Sequence, residues 1–188
     1  MDKSAKIYVA GHNGLVGKAL CRKLEADGFT QLIKASRSDL DLCNQQATHD
    51  FFEAEKPEYV FLAAARVGGI HINRIEPADF IYDNLAISMN VIESSRRFDV
   101  KKLLYLGSSC IYPKFASQPI HEDALLSGEL ESSNHCYALA KIAGLKMCAA
   151  YNRQHGTNFL TVMPTNLYGR EDNFNLETSH VLPALLRK

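Results

Sequence analysis

Seven residues near the N-terminus, Gly11-His12-Asn13-Gly14-Leu15-Val16-Gly17, constrain this chain more than any others. They follow a short apolar run, Lys6-Ile7-Tyr8-Val9-Ala10. They open a stretch in which Leu15, Ala19, Leu20 and Leu24 recur at helical spacing. Strand, glycine turn and helix in that order predict a turn that cradles phosphate. The first glycine permits the tight turn, the second lets a pyrophosphate approach the backbone, and the third lets the helix pack close to the sheet. The helix start adds unpaired N–H groups and the positive end of the helix dipole. A bare G-x-x-G-x-x-G is weak, but the flanking strand and helix make it specific. The expectation is a dinucleotide site built from Gly11, His12, Asn13, Gly14, Leu15, Val16 and Gly17.

The rest of the chain continues the alternation. Residues 32–35 read as a second strand and 44–55 as a helix ended by Lys56-Pro57. Residues 59–63 have the continuous apolar character of a strand covered on both faces. A long helix follows over 76–98, a strand over 103–106, a helix over 137–154 and a strand over 159–163. Gly28 and Gly156 stop the helices before them. Strands alternating with helices imply crossover connections, hence an α/β, Rossmann-type doubly wound parallel sheet with helices on both faces. Residues 113–133 lack periodicity and read as a surface excursion. Residues 181–188 begin an apolar helix that stops without a cap. The expected division is a dinucleotide-binding domain over 1–170 and the beginning of a smaller, truncated substrate domain over 171–188.

Composition excludes several classes of function. With 21 basic and 21 acidic residues in 188, the formal charge is zero, so nothing draws the chain in bulk to nucleic acid or anionic lipid. The longest apolar run, 60–65, is too short to cross a bilayer. The first residues are not expected to form a secretory signal. Five cysteines, an odd number with no C-x-x-C pair, suggest free thiols in a reducing cytoplasm and no structural metal.

The end of the second strand selects the cofactor. An acidic residue there would hold the ribose 2′-hydroxyl of NAD, whereas an arginine accepts a 2′-phosphate. The sequence reads Ala35-Ser36-Arg37-Ser38, and the planar fork of Arg37 suits phosphate. The expected cofactor is NADP(H), with Asp41 and Leu42 placed to meet the adenine. An ordinary solvated arginine is the alternative.

Tyr137-Ala138-Leu139-Ala140-Lys141 puts Tyr137 and Lys141 on one helix face, one turn apart. An ammonium near the phenol is expected to lower its pKa toward neutrality and ready it for proton exchange. Ser108 lies just past the fourth strand, at the edge where α/β sheets bind ligands. Its hydroxyl could hold a substrate carbonyl oxygen as charge develops there.

A glycine turn, a serine after a later strand, and Tyr plus Lys on the next long helix together resemble the extended, nucleotide-sugar-modifying branch of the short-chain dehydrogenase/reductases. The stretches Ala63-Ala64-Ala65-Arg66-Val67-Gly68-Gly69-Ile70, Gly107-Ser108-Ser109-Cys110-Ile111-Tyr112-Pro113-Lys114 and Met163-Pro164-Thr165-Asn166-Leu167-Tyr168-Gly169 look like the GDP-L-fucose synthase family within it, and so does Pro77-Ala78-Asp79-Phe80-Ile81. The resemblance covers essentially the whole chain.

It implies NADPH-dependent conversion of GDP-4-keto-6-deoxy-D-mannose to GDP-L-fucose, by epimerisation at C3 and C5 and reduction of the C4 ketone. Ser108, Tyr137 and Lys141 would serve the reduction. Cys110, as a thiol of depressed pKa, and His180 would form the epimerising pair. Ala63, Ala64, Ala65, Pro164, Asn166, Leu167 and His180, with Tyr137 and Lys141, would line the cofactor. Ser108, Asn166 and Lys188 would meet the nucleotide-sugar substrate. Helices over 77–98 and 137–154 would pair in a homodimer. Two departures stand out. Asn13 replaces an arginine that relatives often use for the 2′-phosphate, and relatives run on well beyond residue 188. The competing expectations are an NADP-binding remnant or sensor without chemistry, and a related nucleotide-sugar epimerase or dehydratase.

Overall fold

The computed structural model describes residues 1–175, 179 and 181–187, with no description of the side chain of residue 181. Five strands, β1 (Ile7–Ala10), β2 (Leu32–Ile33), β3 (Tyr59–Leu62), β4 (Lys102–Leu106) and β5 (Phe159–Val162), form one sheet in the order β2-β1-β3-β4-β5. Every pairing is parallel. The helices are α1 (Leu15–Ala26), α2 (Gln45–Glu55), α3 (Ile70–Ile75), α4 (Pro77–Arg97), α5 (His135–His155) and α6 (Val181–Arg187).

Local chemistry explains most boundaries. Asn44 caps α2, its side-chain oxygen accepting from the Ala47 N–H at 3.0 Å. Lys56 closes that helix in a left-handed conformation, and Pro57 prevents its continuation. Pro77 occupies the first turn of α4, where its missing N–H costs nothing. The second strand is shorter than its apolar pattern suggests: only Leu32 and Ile33 pair with β1, opposite Ile7 and Tyr8. Short helix α3 was not expected. Two 3-10 turns, Ser109–Ile111 and Glu122–Ala124, flank and interrupt the loop region.

Alternate side chains of the strands feed two cores. Tyr8, Val60, Leu62, Leu103, Tyr105 and Phe159 join Phe52 of α2, Val91 and Ile92 of α4 and Cys148 of α5 on one face. Ile7 and Val9 pack with Cys21, Leu24 and Phe29 on the α1 face. Both faces thus carry helices, but α1 does not reach the far strand, where Leu160 and Val162 are exposed. Glu171, just past the expected domain boundary, pairs with Lys18 and Arg22 of α1. No helix among the described residues is long and apolar enough to cross a membrane.

Candidate active site

The strand order reverses direction between β1 and β3, the point at which α/β sheets of this kind form a crevice at the carboxyl ends of their strands. The glycine turn lies against one side of it. Gly11 has φ +82°, and a Cβ there would sit 2.6 Å from the Ala64 backbone nitrogen and 2.9 Å from the Ala63 carbonyl carbon. The turn therefore touches the end of β3 backbone to backbone, which places Ala63, Ala64 and Ala65 beside it. A Cβ on Gly17 would collide with the Gly11 carbonyl, so the third glycine lets α1 close on the turn. Gly14 caps α1 with no side chain bonded over the helix start. Leu15 and Val16 form the first turn behind it.

This cradle fits a dinucleotide pyrophosphate: a closely approached backbone, a helix start uncovered by side chains, and a crevice at the sheet edge. His12 Nδ1 is buried in the turn without a protein partner. Exposed Asn13 lines, with His12, Lys18, Arg22, Lys34 and Glu171, a cavity of about 300 Å³ behind it.

At the end of β2, Ser36 donates from its N–H and hydroxyl to the Asp39 carboxylate. Arg37 extends outward, 76% exposed, its guanidinium 4.0 Å from Asp83 of α4. Asp83 is held more closely by Arg66, at 2.9 Å, and Arg66 also meets Glu76 and Asp79. Arg37 is thus the less committed cation of the pair, free to turn to an anion. Asp41 is exposed and accepts from the Cys43 N–H. Leu42 is buried in the core, and its carbonyl accepts from buried Asn90 at 2.8 Å.

One feature of the crevice was invisible in the sequence. Beyond β3, Arg66 exchanges two hydrogen bonds with the side chain of Asn84. Its N–H donates to Asn84 Oδ1 at 3.0 Å and its carbonyl accepts from Asn84 Nδ2 at 3.0 Å. A single buried amide from α4 thus does for this segment what a neighbouring strand does inside the sheet.

The chemical groups gather at the end of β4. The Ser108 hydroxyl starts the following 3-10 turn by accepting from the Cys110 N–H at 3.4 Å. The Pro164 carbonyl accepts from the Ser109 N–H at 3.1 Å, fastening the segment after β5 to the same turn. Lys141 reaches back from α5, and its Nζ donates to the Leu106 carbonyl at 2.8 Å. It lies 5.7 Å from the Tyr137 ring centre and 5.0 Å from that of Tyr105. Asn166 and Leu167 follow Pro164 at the exposed rim. Ser108, Cys110, Tyr137, Lys141 and Pro164 are therefore brought together. His180 and Lys188 lie outside the described residues.

Two electrostatic expectations are corrected. The Tyr137 phenol is pushed up, not down, by burial, and Cys110 and Tyr105 add to the rise. Lys141 is lowered to about 8, again by burial. The Cys110 thiol is also raised: burial exceeds the opposing pull of Ser108 and Lys141. Spacing in the sequence carries no information on how dry the surroundings of these groups are.

The relatives of the chain can now be set beside this geometry. A model of the NAD dependent epimerase/dehydratase family matches residues 7–188. GDP-L-fucose synthase 1 of Arabidopsis thaliana is 61% identical over 187 residues, covering 100% of this chain and 58% of its own length. The GDP-L-fucose synthase of Escherichia coli is 54% identical over 183 residues, covering 97% of this chain and 57% of its own. A GDP-D-glycero-L-gluco-heptose synthase from Campylobacter jejuni, solved in the presence of NADPH, superposes with a TM-score of 0.96 at 49% identity, over 100% of this chain and 55% of that one. The chain spans a little over half the length of the relatives it matches. On the family match across nearly all its residues, with the crevice and glycine turn that such a family requires, the chain belongs to the NAD dependent epimerase/dehydratase family.

Proposed function

We propose that this chain binds NADP(H) and carries the acid–base groups that convert GDP-4-keto-6-deoxy-D-mannose to GDP-L-fucose, a reading supported by the name GDP-L-fucose synthase that its Arabidopsis and Escherichia coli relatives carry. The observation that carries the reading is the convergence of Ser108, Cys110, Tyr137 and Lys141 beyond β4, next to the crevice beside the glycine turn. The NADPH named with the Campylobacter structure and the phosphate-suited fork of Arg37 support the choice of cofactor. Gly11, Gly14, Gly17 and the backbone of residues 63–65 would hold its pyrophosphate, and Arg37 its 2′-phosphate. When bound, the reduced nicotinamide supplies hydride to the C4 carbon.

The protein's own groups handle the protons. Ser108 holds the C4 oxygen, and Tyr137 donates a proton to it. A donor must rest in its protonated form, so burial that raises the Tyr137 phenol suits the reductive direction. Lys141 keeps a positive charge close to the developing oxyanion. The ketone acidifies the protons at C3 and C5. At each carbon one group removes a proton and another returns one to the opposite face. Cys110 rests as the thiol and serves as the acid of that pair, with His180 as its expected partner. Asn166 and Lys188 would approach the sugar and the GDP phosphates. Residues 1–170 would form the cofactor domain and 171–188 the start of the sugar domain.

Exposed Tyr82 and Met89 on α4 and Leu139 on α5 support a homodimer through these helices, readable by light scattering. Free cysteines support a reducing, cytoplasmic setting.

The test uses the complete encoded protein with NADPH and GDP-4-keto-6-deoxy-D-mannose in D₂O. Deuterium should enter at C3 and C5, and one NADPH should be consumed per fucosyl product. Cys110→Ser should abolish inversion at C3 and C5, while exchange by the remaining base can persist. Tyr137→Phe should stop NADPH consumption while leaving NADPH binding intact. Unchanged ketone reduction by Tyr137→Phe would overturn the assignment.

A further inference from the structure

Tyr105 is fully buried on β4, yet it carries a hydroxyl and lies beside the buried ammonium of Lys141. Its ring centre is 5.0 Å from Lys141 Nζ. Its hydroxyl shares a 3.1 Å hydrogen bond with buried Ser88 of α4. On its third side is Gly144, less than one turn beyond Lys141 on α5, where a Cβ would run into the Tyr105 hydroxyl and lie 2.9 Å from the ring edge. A glycine in the middle of a 21-residue helix costs about 1 kcal/mol against alanine, and here it admits this ring. Two helices, α4 and α5, thus converge on one aromatic side chain that no step of the proposed chemistry uses.

We propose that Tyr105 is a positioning residue for Lys141: its ring bears the ammonium from one side while the Leu106 carbonyl accepts a hydrogen from it, and Ser88 and Gly144 fix the ring in place. The physical basis is the attraction of a cation to the electron-rich ring, which grows when both are removed from water. Lys141 has no carboxylate among the groups that influence it. The titratable groups facing it are Tyr105 on β4, Cys110 in the turn after β4 and Tyr137 on α5, with Cys148 of α5 behind Tyr105. All of these rest neutral, so the ring of Tyr105 at 5.0 Å, the more distant ring of Tyr137 at 5.7 Å and the Leu106 carbonyl dipole are what hold the charge. This inference rests on the assignment of Lys141 as a working group of the site.

The experiment replaces Tyr105 by Phe, 3,5-difluorophenylalanine and pentafluorophenylalanine in the complete protein. The series keeps the ring shape while draining its negative face. Lys141 is followed by NMR with ¹³Cε-labelled lysine, its signal assigned by loss in Lys141→Arg. The Phe variant should titrate within about 0.3 pH units of the parent. The pentafluoro variant should fall by roughly half to one and a half pH units, with the difluoro variant between. A flat series overturns the inference. If the complete protein also reduces the keto sugar, the alkaline limb of its rate should shift in step. A Lys141 titration that moves along the series in a protein without turnover would leave the inference standing and remove the proposed reaction instead.

Discussion

Alanine at Gly11 should damage the fold more than alanine at Gly28, although both glycines hold nearly the same backbone angle. Gly11 has φ +82° and Gly28 has φ +85°, so each substitution forces an L side chain into the left-handed region. That strain is roughly 1–2 kcal/mol at either position. The surroundings differ. Around a Cβ at Gly28 nothing lies within 4 Å, whereas one at Gly11 meets three backbone atoms of Ala63 and Ala64 between 2.6 and 2.9 Å. Backbone cannot rotate aside as a flexible side chain can, so overpacking adds about 1–3 kcal/mol at Gly11 alone. The gain from a stiffer unfolded chain is similar for both and cancels in the comparison.

For a chain of 188 residues the difference corresponds to roughly 2–12 °C in Tm. Circular dichroism melts of the two variants would read it. NADPH titration by fluorescence adds a second check, because Gly11→Ala pushes the turn off β3 where the pyrophosphate is expected, and Gly28→Ala acts at the distant end of α1. Equal melting temperatures and equal NADPH affinities would refute the claim that the turn and β3 touch backbone to backbone.

Stability should also depend on Lys141 at alkaline pH. Its pKa is lowered from the usual 10.5 to about 8, so between those values the unfolded chain binds the extra proton and folding stability climbs with pH. The climb is on the order of 3 kcal/mol and should vanish in Lys141→Met, as read by urea midpoints from pH 8 to 10; a climb that survives would contradict the burial of the ammonium. Arg37→Ala should weaken NADPH binding about ten- to a hundred-fold while leaving NADH binding unchanged, measured by calorimetry. An equal loss for both cofactors would assign Arg37 to something other than the 2′-phosphate.

The alternation of strands and helices was legible because parallel strands buried on both faces leave long apolar runs, and because Asn44, Pro57, Pro77 and Gly156 punctuate the helices. The short helix α3 was not, since Ile70–Ile75 is too brief to show a period and follows two glycines. The turn residues, Ser108 and the Tyr137–Lys141 pair were readable from spacing alone. Their protonation was not, because it depends on burial contributed by β4 and α4, distant in the sequence. Tyr105 was missed for the same reason. Its one local signal was Gly144, a glycine inside an otherwise strong helix, which marks a close approach without naming what approaches.

The amide of Asn84 joins the rim of the crevice to a helix and not to a strand. Sheets hold their edges with many bonds shared along a ladder, so no one of them sets a position. Here two bonds from one side chain do, and α4 is also the helix whose outer face carries Tyr82 and Met89. Whatever settles against that outer face leans on the same rod that pins Arg66, and a shift of the rod by an ångström would be delivered undiluted to the mouth of the crevice.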